Sequence, residues 1–363
     1  MKIAAVHTAR VSLPVRGDLV VRGARGTHDR SDYLLVRIVT DTGVEGYGEV
    51  SATAIWSGED GATASHVVSD ILAPALVGQP LAPPVLERLM DRAVAANPFT
   101  KAGVSMALWD AHARSLGVPL AVLLGGPYRD EVPIKCSLSG DGAALDTAHA
   151  AASAAGFRSF KVKVGLGVPG DVARVARARE LVGNAFLGVD ANGGWTRADA
   201  LRAVRALAPY EVAFVEQPVA PDDLDGVRAV RALGATVIAD ESVFGLADLV
   251  RVVRADAADV VSVYVGKAGG PTRAVEQARV AAAFGVDTLI GSNGEFGLGA
   301  AAQVHVACAV PSLSAFPSDI IGAFYYERDV LASPLDSDGT VVRLPSGAGL
   351  GVELAPDILK EFR

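Results

Sequence analysis

Five charged residues recur along the middle of the chain at nearly even steps. They are Lys163, Asp190, Glu216, Asp240 and Lys267, separated by 27, 26, 24 and 27 residues. Each follows a short apolar run: Ser159-Phe160, Phe186 to Val189, Val212 to Val215, Thr236 to Ala239 and Val260 to Val265. Three carboxylates between two lysines suit hard-cation and acid–base chemistry. Carboxylate oxygens are ligands for Mg²⁺ or Mn²⁺, and no Cys or His stands at these positions to favour zinc. Without a cation the clustered acids repel, and at least one should keep its proton. A lysine out of water and beside positive charge has a lowered pKa, and its neutral amine is a general base. Lys161 lies two residues before Lys163 and so points to the same side of a strand. One of these lysines can act as base while the other binds a substrate carboxylate. Taken singly, each acid could be a solvated strand end and each lysine its salt-bridge partner; the repeat of the whole set argues otherwise. A Schiff-base lysine would leave the three carboxylates without a role.

The spacing also constrains the elements that carry these groups. A strand, a helix and two loops take about 30 residues, so the pattern predicts a charge at the C-terminal end of each strand in successive βα units. In a (β/α)₈ barrel those ends converge on the face that holds the active site. Barrel strands are predicted near 132–138, 159–165, 186–191, 212–217, 235–240, 259–265, 286–291 and 313–319, with Ala- and Arg-rich helices between them. Residues 1–127 have a different texture: a strand over 2–14, a hairpin over 32–50, then helices over 62–76, 84–96 and 98–116. Two polar, Gly-containing stretches, 16–30 and 51–61, read as loops. Residues 321–363 do not continue the repeat and are predicted to return to the N-terminal region.

Composition narrows the partners. Half of the 363 residues are apolar, enough for a large core. The net charge is −8 and no Lys/Arg run occurs, so nucleic acid is not expected as a partner. Cys136 and Cys308 are too few for a disulfide framework and read as small core residues. The N-terminal apolar run is too short for a signal peptide. The uncharged segment 296–318 contains Gln303, His305, Pro311 and Pro317, which suits a buried helix and strand better than a membrane span. A soluble, cytoplasmic protein is the expectation.

The ordered motifs Lys161-Val162-Lys163, Asp190-Ala191-Asn192, Glu216-Gln217-Pro218, Ala239-Asp240-Glu241-Ser242 and Lys267-Ala268-Gly269-Gly270 resemble those of the enolase superfamily. Within it they are most similar to the muconate lactonizing enzyme subgroup of the mandelate racemase/muconate lactonizing enzyme family. Ala107-Leu108-Trp109-Asp110 with Gly117-Val118-Pro119-Leu120, and the last-strand region from Asp319 to Leu335, extend the likeness over nearly the whole chain. The resemblance implies an α/β fold: a modified (β/α)7β TIM-type barrel, 128–320, with an N-terminal α+β capping domain, 1–127, completed by the C-terminal segment. It implies Mg²⁺ (or Mn²⁺) on Asp190, Glu216 and Asp240, with Lys163 and Lys267 as the acid/base pair. Lys161, Asn192, Asn293 and Asp319 would meet a small carboxylate substrate, Glu295 would either meet it too or only order the end of the seventh strand, and loops 16–30 and 51–61 would set specificity. The implied reaction is an isomerisation through an enediolate, muconate-cycloisomerase-like. Racemisation or epimerisation of a substituted amino or hydroxy acid and dehydration are alternatives, with a non-catalytic carboxylate binder further behind. No histidine stands at the seventh strand, as mandelate-racemase-type enzymes would require. One acid, Asp319, follows the eighth, where dipeptide epimerases carry two. Relatives of this kind are often homo-oligomers, so the same is expected here.

Overall fold

The alternating N-terminal residues form the strands their pattern predicts. The strands of this region are β1 (Ile3–Pro14), β2 (Val21–Gly23), β3 (Gly26–His28), β4 (Arg30–Thr40) and β5 (Glu45–Val50) in a computed structural model that describes residues 1–363. β1, β4 and β5 make an antiparallel sheet in that order, while β2 and β3 pair only with each other. The stretch 16–30, expected as a plain loop, thus contains a small hairpin. Residues 61–76 are helical, with a π-helical turn at Val67–Leu72.

The helix Pro98–Leu116 is buried along most of its length and lies directly on β5. A Cβ at Gly48 would lie 2.0 Å from the Gly103 carbonyl oxygen, so only glycine permits this approach. Glu59 caps the helix: its carboxylate accepts from the amides of Phe99 at 3.0 Å and Thr100 at 2.8 Å, where the helix dipole favours a negative charge. Farther along, fully buried Asp110 accepts from the amides of Tyr47 at 2.9 Å and Leu350 at 2.7 Å, and from Arg114 Nε at 2.9 Å. One carboxylate therefore ties a strand, a helix and the C-terminal segment together. Removing one partner of a buried ion pair costs about 3–5 kcal/mol. Asp110→Ala should lower the urea midpoint by a corresponding amount, and an unchanged midpoint would contradict the account.

The second half alternates strand and helix. After β6 (Glu131–Pro133) come β7 (Cys136–Leu138), β8 (Ser159–Lys163), β9 (Phe186–Asp190), β10 (Val215–Glu216), β11 (Val237–Ala239), β12 (Val260–Val263) and β13 (Asp287–Ile290). β7 to β13 form one seven-stranded parallel sheet in chain order. Their near-continuous Val, Ile and Leu reflect burial on both faces. The predicted eighth strand, 313–319, is reduced to bridges: Leu313 pairs with Thr288 on one side and Ser318 with Ile134 on the other. Pro311 and Pro317 lack the amide that a ladder needs. The segment still spans the two edges of the sheet and curls it closed. The architecture is the α/β one expected, a modified TIM-type barrel with an N-terminal α+β cap.

The C-terminal residues run back across both halves. β14 (Val341–Arg343) pairs antiparallel with β6, and Arg363 exchanges both backbone hydrogen bonds with Thr8 on β1, each 3.0 Å. The uncharged segment 296–318 contains the buried helix Gly297–Ala309. No helix is long and apolar enough to cross a membrane.

Candidate active site

Strand register brings the charged residues together. On the sheet Lys163 is level with Asp190, and Asp190 with Glu216. Asp240 follows the end of β11. Lys267 differs from its expected place: it sits four residues beyond β12 on the single helical turn Val265–Ala268. That turn still directs it inward, where its Nζ donates to Asp240 Oδ1 at 2.5 Å, the Asp240 carbonyl at 2.8 Å and the Ser262 carbonyl at 2.9 Å.

The acids form a row with a lysine at each end. Lys163 Nζ donates to Asp190 Oδ2 at 2.7 Å and to Asn192 Oδ1 at 3.0 Å. Lys161 Nζ lies between, donating to Glu216 Oε2 at 3.0 Å and Asp319 Oδ2 at 3.2 Å. Asp190, Glu216 and Asp240 are each no more than 1% exposed. Two acids with different neighbours titrate in opposite directions. Burial alone would raise Asp190, but Lys163 and Lys161 hold it down to about 2. Burial pushes Glu216 up to about 8; Lys161 opposes this, and Asp190, Asp319 and Asp240 reinforce it. Burial together with Asp240 and Asp190 likewise raises Glu241 to about 7.

As the side chains stand, no three His, Cys, Asp or Glu groups are gathered closely enough to hold a metal ion. An ammonium sits against each acid of the row instead. The donor set nevertheless fits a hard divalent cation. It consists of buried carboxylate oxygens from adjacent parallel strands, one of them, Glu216, kept protonated by burial and by the negative charges beside it. Glu241 Oε2, beside the row, is buried without a partner. Asp190, Glu216 and Asp240 are the residues that would hold such an ion.

Above the row lies a cleft of about 160 Å³. The barrel contributes Ser137, Lys161, Lys163, Asn192, Tyr264, Asn293 and Asp319 to its lining. The cap contributes Val21, Gly23 and Arg25 to His28 from the hairpin and Thr53, Ile55 and Trp56 from the second loop. Both capping stretches singled out in the sequence therefore reach the barrel face. The hairpin is fastened there: the Arg22 amide donates to Ser139 Oγ at 3.1 Å, and Arg25 Nε is 3.2 Å from Glu241 Oε1.

Not every expected residue faces this cleft. Asn293 does, but its Nδ2 donates to the Ser51 carbonyl at 2.7 Å, so it also anchors the second capping loop. Glu295 lies behind the lining, accepting from the Ser292 hydroxyl and from the Asn293 amide at 3.1 Å. It shapes the loop that presents Asn293. Lys267 is also beneath the lining, under Tyr264, Trp56 and Phe244; its Nζ is 4.1 Å from the Tyr264 ring centroid. Asn192 Nδ2 donates to Glu241 Oε1 at 3.0 Å.

Several groups escaped the sequence reading. Tyr264 donates its hydroxyl to Asp240 Oδ2 at 2.8 Å and stacks on Trp56 at 5.4 Å between ring centroids. Gln217 accepts from the amides of Asp240 and Ser242, both at 3.1 Å, and so sets the turn after β11. Lys135, fully buried, donates to Asp319 Oδ2 at 2.9 Å. A lysine inside the apolar run Val132 to Leu138 was the available signal for the last of these.

The chain is similar to known proteins over nearly its whole length. Residues 143–358 match the family model described as enolase C-terminal domain-like. Residues 5–125 match the mandelate racemase/muconate lactonizing enzyme N-terminal domain. The N-succinyl-L-Arg/Lys racemase of Bacillus cereus is 32% identical over 100% of this chain and 98% of its own length. Its crystal structure superposes with a TM-score of 0.93, covering 99% of this chain and 98% of that one. Muconate cycloisomerase 1 of Rhodococcus opacus is 36% identical over 91% of this chain and 90% of its own. A substrate-liganded complex of the L-Ala-D/L-Glu epimerase of Bacillus subtilis is 30% identical, with a TM-score of 0.92 over 98% of this chain and 100% of that one.

Proposed function

The chain belongs to the mandelate racemase/muconate lactonizing enzyme family of the enolase superfamily, and on that premise we propose that it moves a proton at the carbon α to a carboxylate. It is an isomerase-type enzyme of that superfamily acting on carboxylate substrates; the step through an enediolate is our reading. The observation that carries it is the row of buried acids with a lysine at either end, beneath a cleft whose lining is basic.

In this reading the substrate carboxylate is drawn in by Lys161, whose ammonium lines the cleft between Glu216 and Asp319. Lys163, at one end of the row, takes or delivers the α proton. Lys267, at the other end, serves the opposite face. A divalent cation on Asp190, Glu216 and Asp240 would supply positive charge where the carboxylate gains its second negative charge. Lys161 shares that task from a site largely closed to water, where a fixed charge acts most strongly. Residues 1–127 serve as cap, 128–320 as catalytic barrel and 321–363 as the return to the cap, with Val21–His28 and Thr53–Trp56 choosing the substrate.

Cycloisomerisation of a muconate-like dicarboxylate is the first form of the reaction. Racemisation of an N-substituted amino acid is the second. It is favoured by the presence of a lysine at both ends of the row and by the likeness to the Bacillus cereus racemase. Deuterium uptake at the α carbon in D₂O with Mg²⁺ tests the shared step. Loss of diene absorbance or of optical rotation then separates the two. A broad set of carboxylic acids showing no exchange and no turnover would defeat the proposal.

A further inference from the structure

Asp319 is the one acid that lines the cleft, while Arg25, Lys161 and Lys163 line it as cations. Its charge is already engaged from below. Lys161 Nζ donates to Asp319 Oδ2 at 3.2 Å, and Lys135 Nζ donates to the same oxygen at 2.9 Å. Lys135 is fully buried and contacts acceptors only: Asp319 and the Pro317 carbonyl at 2.6 Å, with the Phe214 ring centroid at 5.6 Å. Burial and the neighbouring Lys161 charge lower its pKa below the usual lysine value, but Asp319, Glu216 and the acceptor-only contacts favour the ammonium. A lysine so deeply placed touches neither the cleft nor the acid row, so the proton-transfer reading gives it no task.

From this geometry we infer that Lys135 is a specificity-determining residue, which neutralises Asp319 and so makes the site one for carboxylates that bear no ammonium group. The inference rests on the proposed proton transfer and names its substrate class. A bound ammonium would need an unpaired carboxylate, because bringing a charge out of water without a partner is strongly unfavourable. The cleft lining offers none. It would also face Lys161, Lys163 and Arg25, and like charges in a confined site repel. An amino acid whose nitrogen is acylated, or a dicarboxylate, meets neither obstacle. Sequence position hides this pairing, since Lys135 and Asp319 are 184 residues apart.

The test uses the full chain with Mg²⁺ and a fixed panel: free L-leucine, L-arginine and L-Ala-L-Leu, against N-acetyl- and N-succinyl-L-leucine, N-succinyl-L-arginine and cis,cis-muconate. Proton exchange in D₂O, or diene loss for muconate, should occur with at least one ammonium-free compound. The free amines should be at least 100-fold slower in kcat/KM. Free amines exchanging as fast as their acylated forms would overturn the inference while leaving the proton-transfer reading intact. No reaction with any of these compounds would remove both. In Lys135→Met the ratio of free-amine to acylated kcat/KM should rise about 10-fold. An unchanged ratio in a folded variant would show that Lys135 does not set the selection. Should that variant not fold, competitive inhibition of the wild-type protein by the free and acylated compounds decides: comparable binding of both would overturn the inference.

Discussion

Lys163→Ala should lower turnover by about 10³-fold, within the range of about 10²–10⁴ that a positioned general acid or base contributes. In the proposed reaction the loss should fall on kcat, because Lys163 lines the cleft and moves the α proton, whereas Lys161, which also lines it, is the group proposed to hold the carboxylate. Lys267→Ala should have an effect of the same order. Lys267 lies under the Tyr264 and Trp56 rings and is held by three oxygen acceptors, so its loss also frees Asp240. The two substitutions together separate the forms of the reaction. A racemase should fail to invert in either variant, yet each should still exchange the α proton of one enantiomer through the remaining lysine. A cycloisomerase should depend on one lysine for proton transfer and on the other for charge. Full activity in either variant would end the two-lysine assignment.

Chelation should abolish activity, and Mg²⁺ or Mn²⁺ should restore it. The pH dependence follows from Glu216, buried and surrounded by Asp190, Asp319 and Asp240, with a pKa near 8. Below that pH a cation must displace its proton. Apparent affinity should therefore rise up to about tenfold per pH unit as pH approaches 8, then level off. Titration calorimetry in two buffers of different ionisation enthalpy measures the proton released, and none released at pH 6 to 7 would contradict the assignment. Stability of the metal-free protein has the opposite dependence. An unfolded glutamate ionises near about 4.3, whereas Glu216 keeps its proton in the fold up to about 8. Across that window the folded chain binds more protons, so its stability falls as pH rises. Glu241, raised to about 7, adds to the decline over the lower part of the window. Thermal melts with and without Mg²⁺ across pH 5 to 8 should diverge accordingly.

The sequence predicts β8, β9, β11 and β12 within a few residues of where they lie, because a buried parallel strand is a run of β-branched residues bounded by loops. It is less informative about segment 313–319. That segment's closing role depends on two edges distant in the chain, and Pro317 within it, with Pro311 just before it, prevents a regular strand. The helical turn that carries Lys267 is also invisible to a strand-length argument. Glu295 shows the same limit in the site. Its type and position suit either a ligand or a residue that orders the strand end; it bonds to Ser292 and Asn293 and stays behind the cleft, in the second role.

What the sequence by itself determined is the barrel's repeat and the row of Lys163, Asp190, Glu216, Asp240 and Lys267, because strand–helix spacing is a local property that survives in one dimension. Tertiary structure alone decided that Lys135 and Lys161 share Asp319, that Arg25 meets Glu241 and that Trp56 and Tyr264 cover Lys267. Each of these except Tyr264 over Lys267 joins elements far apart in the chain. Barrel closure and the docking of the cap bring them into contact, and in a buried site those contacts set which charges remain free for a substrate.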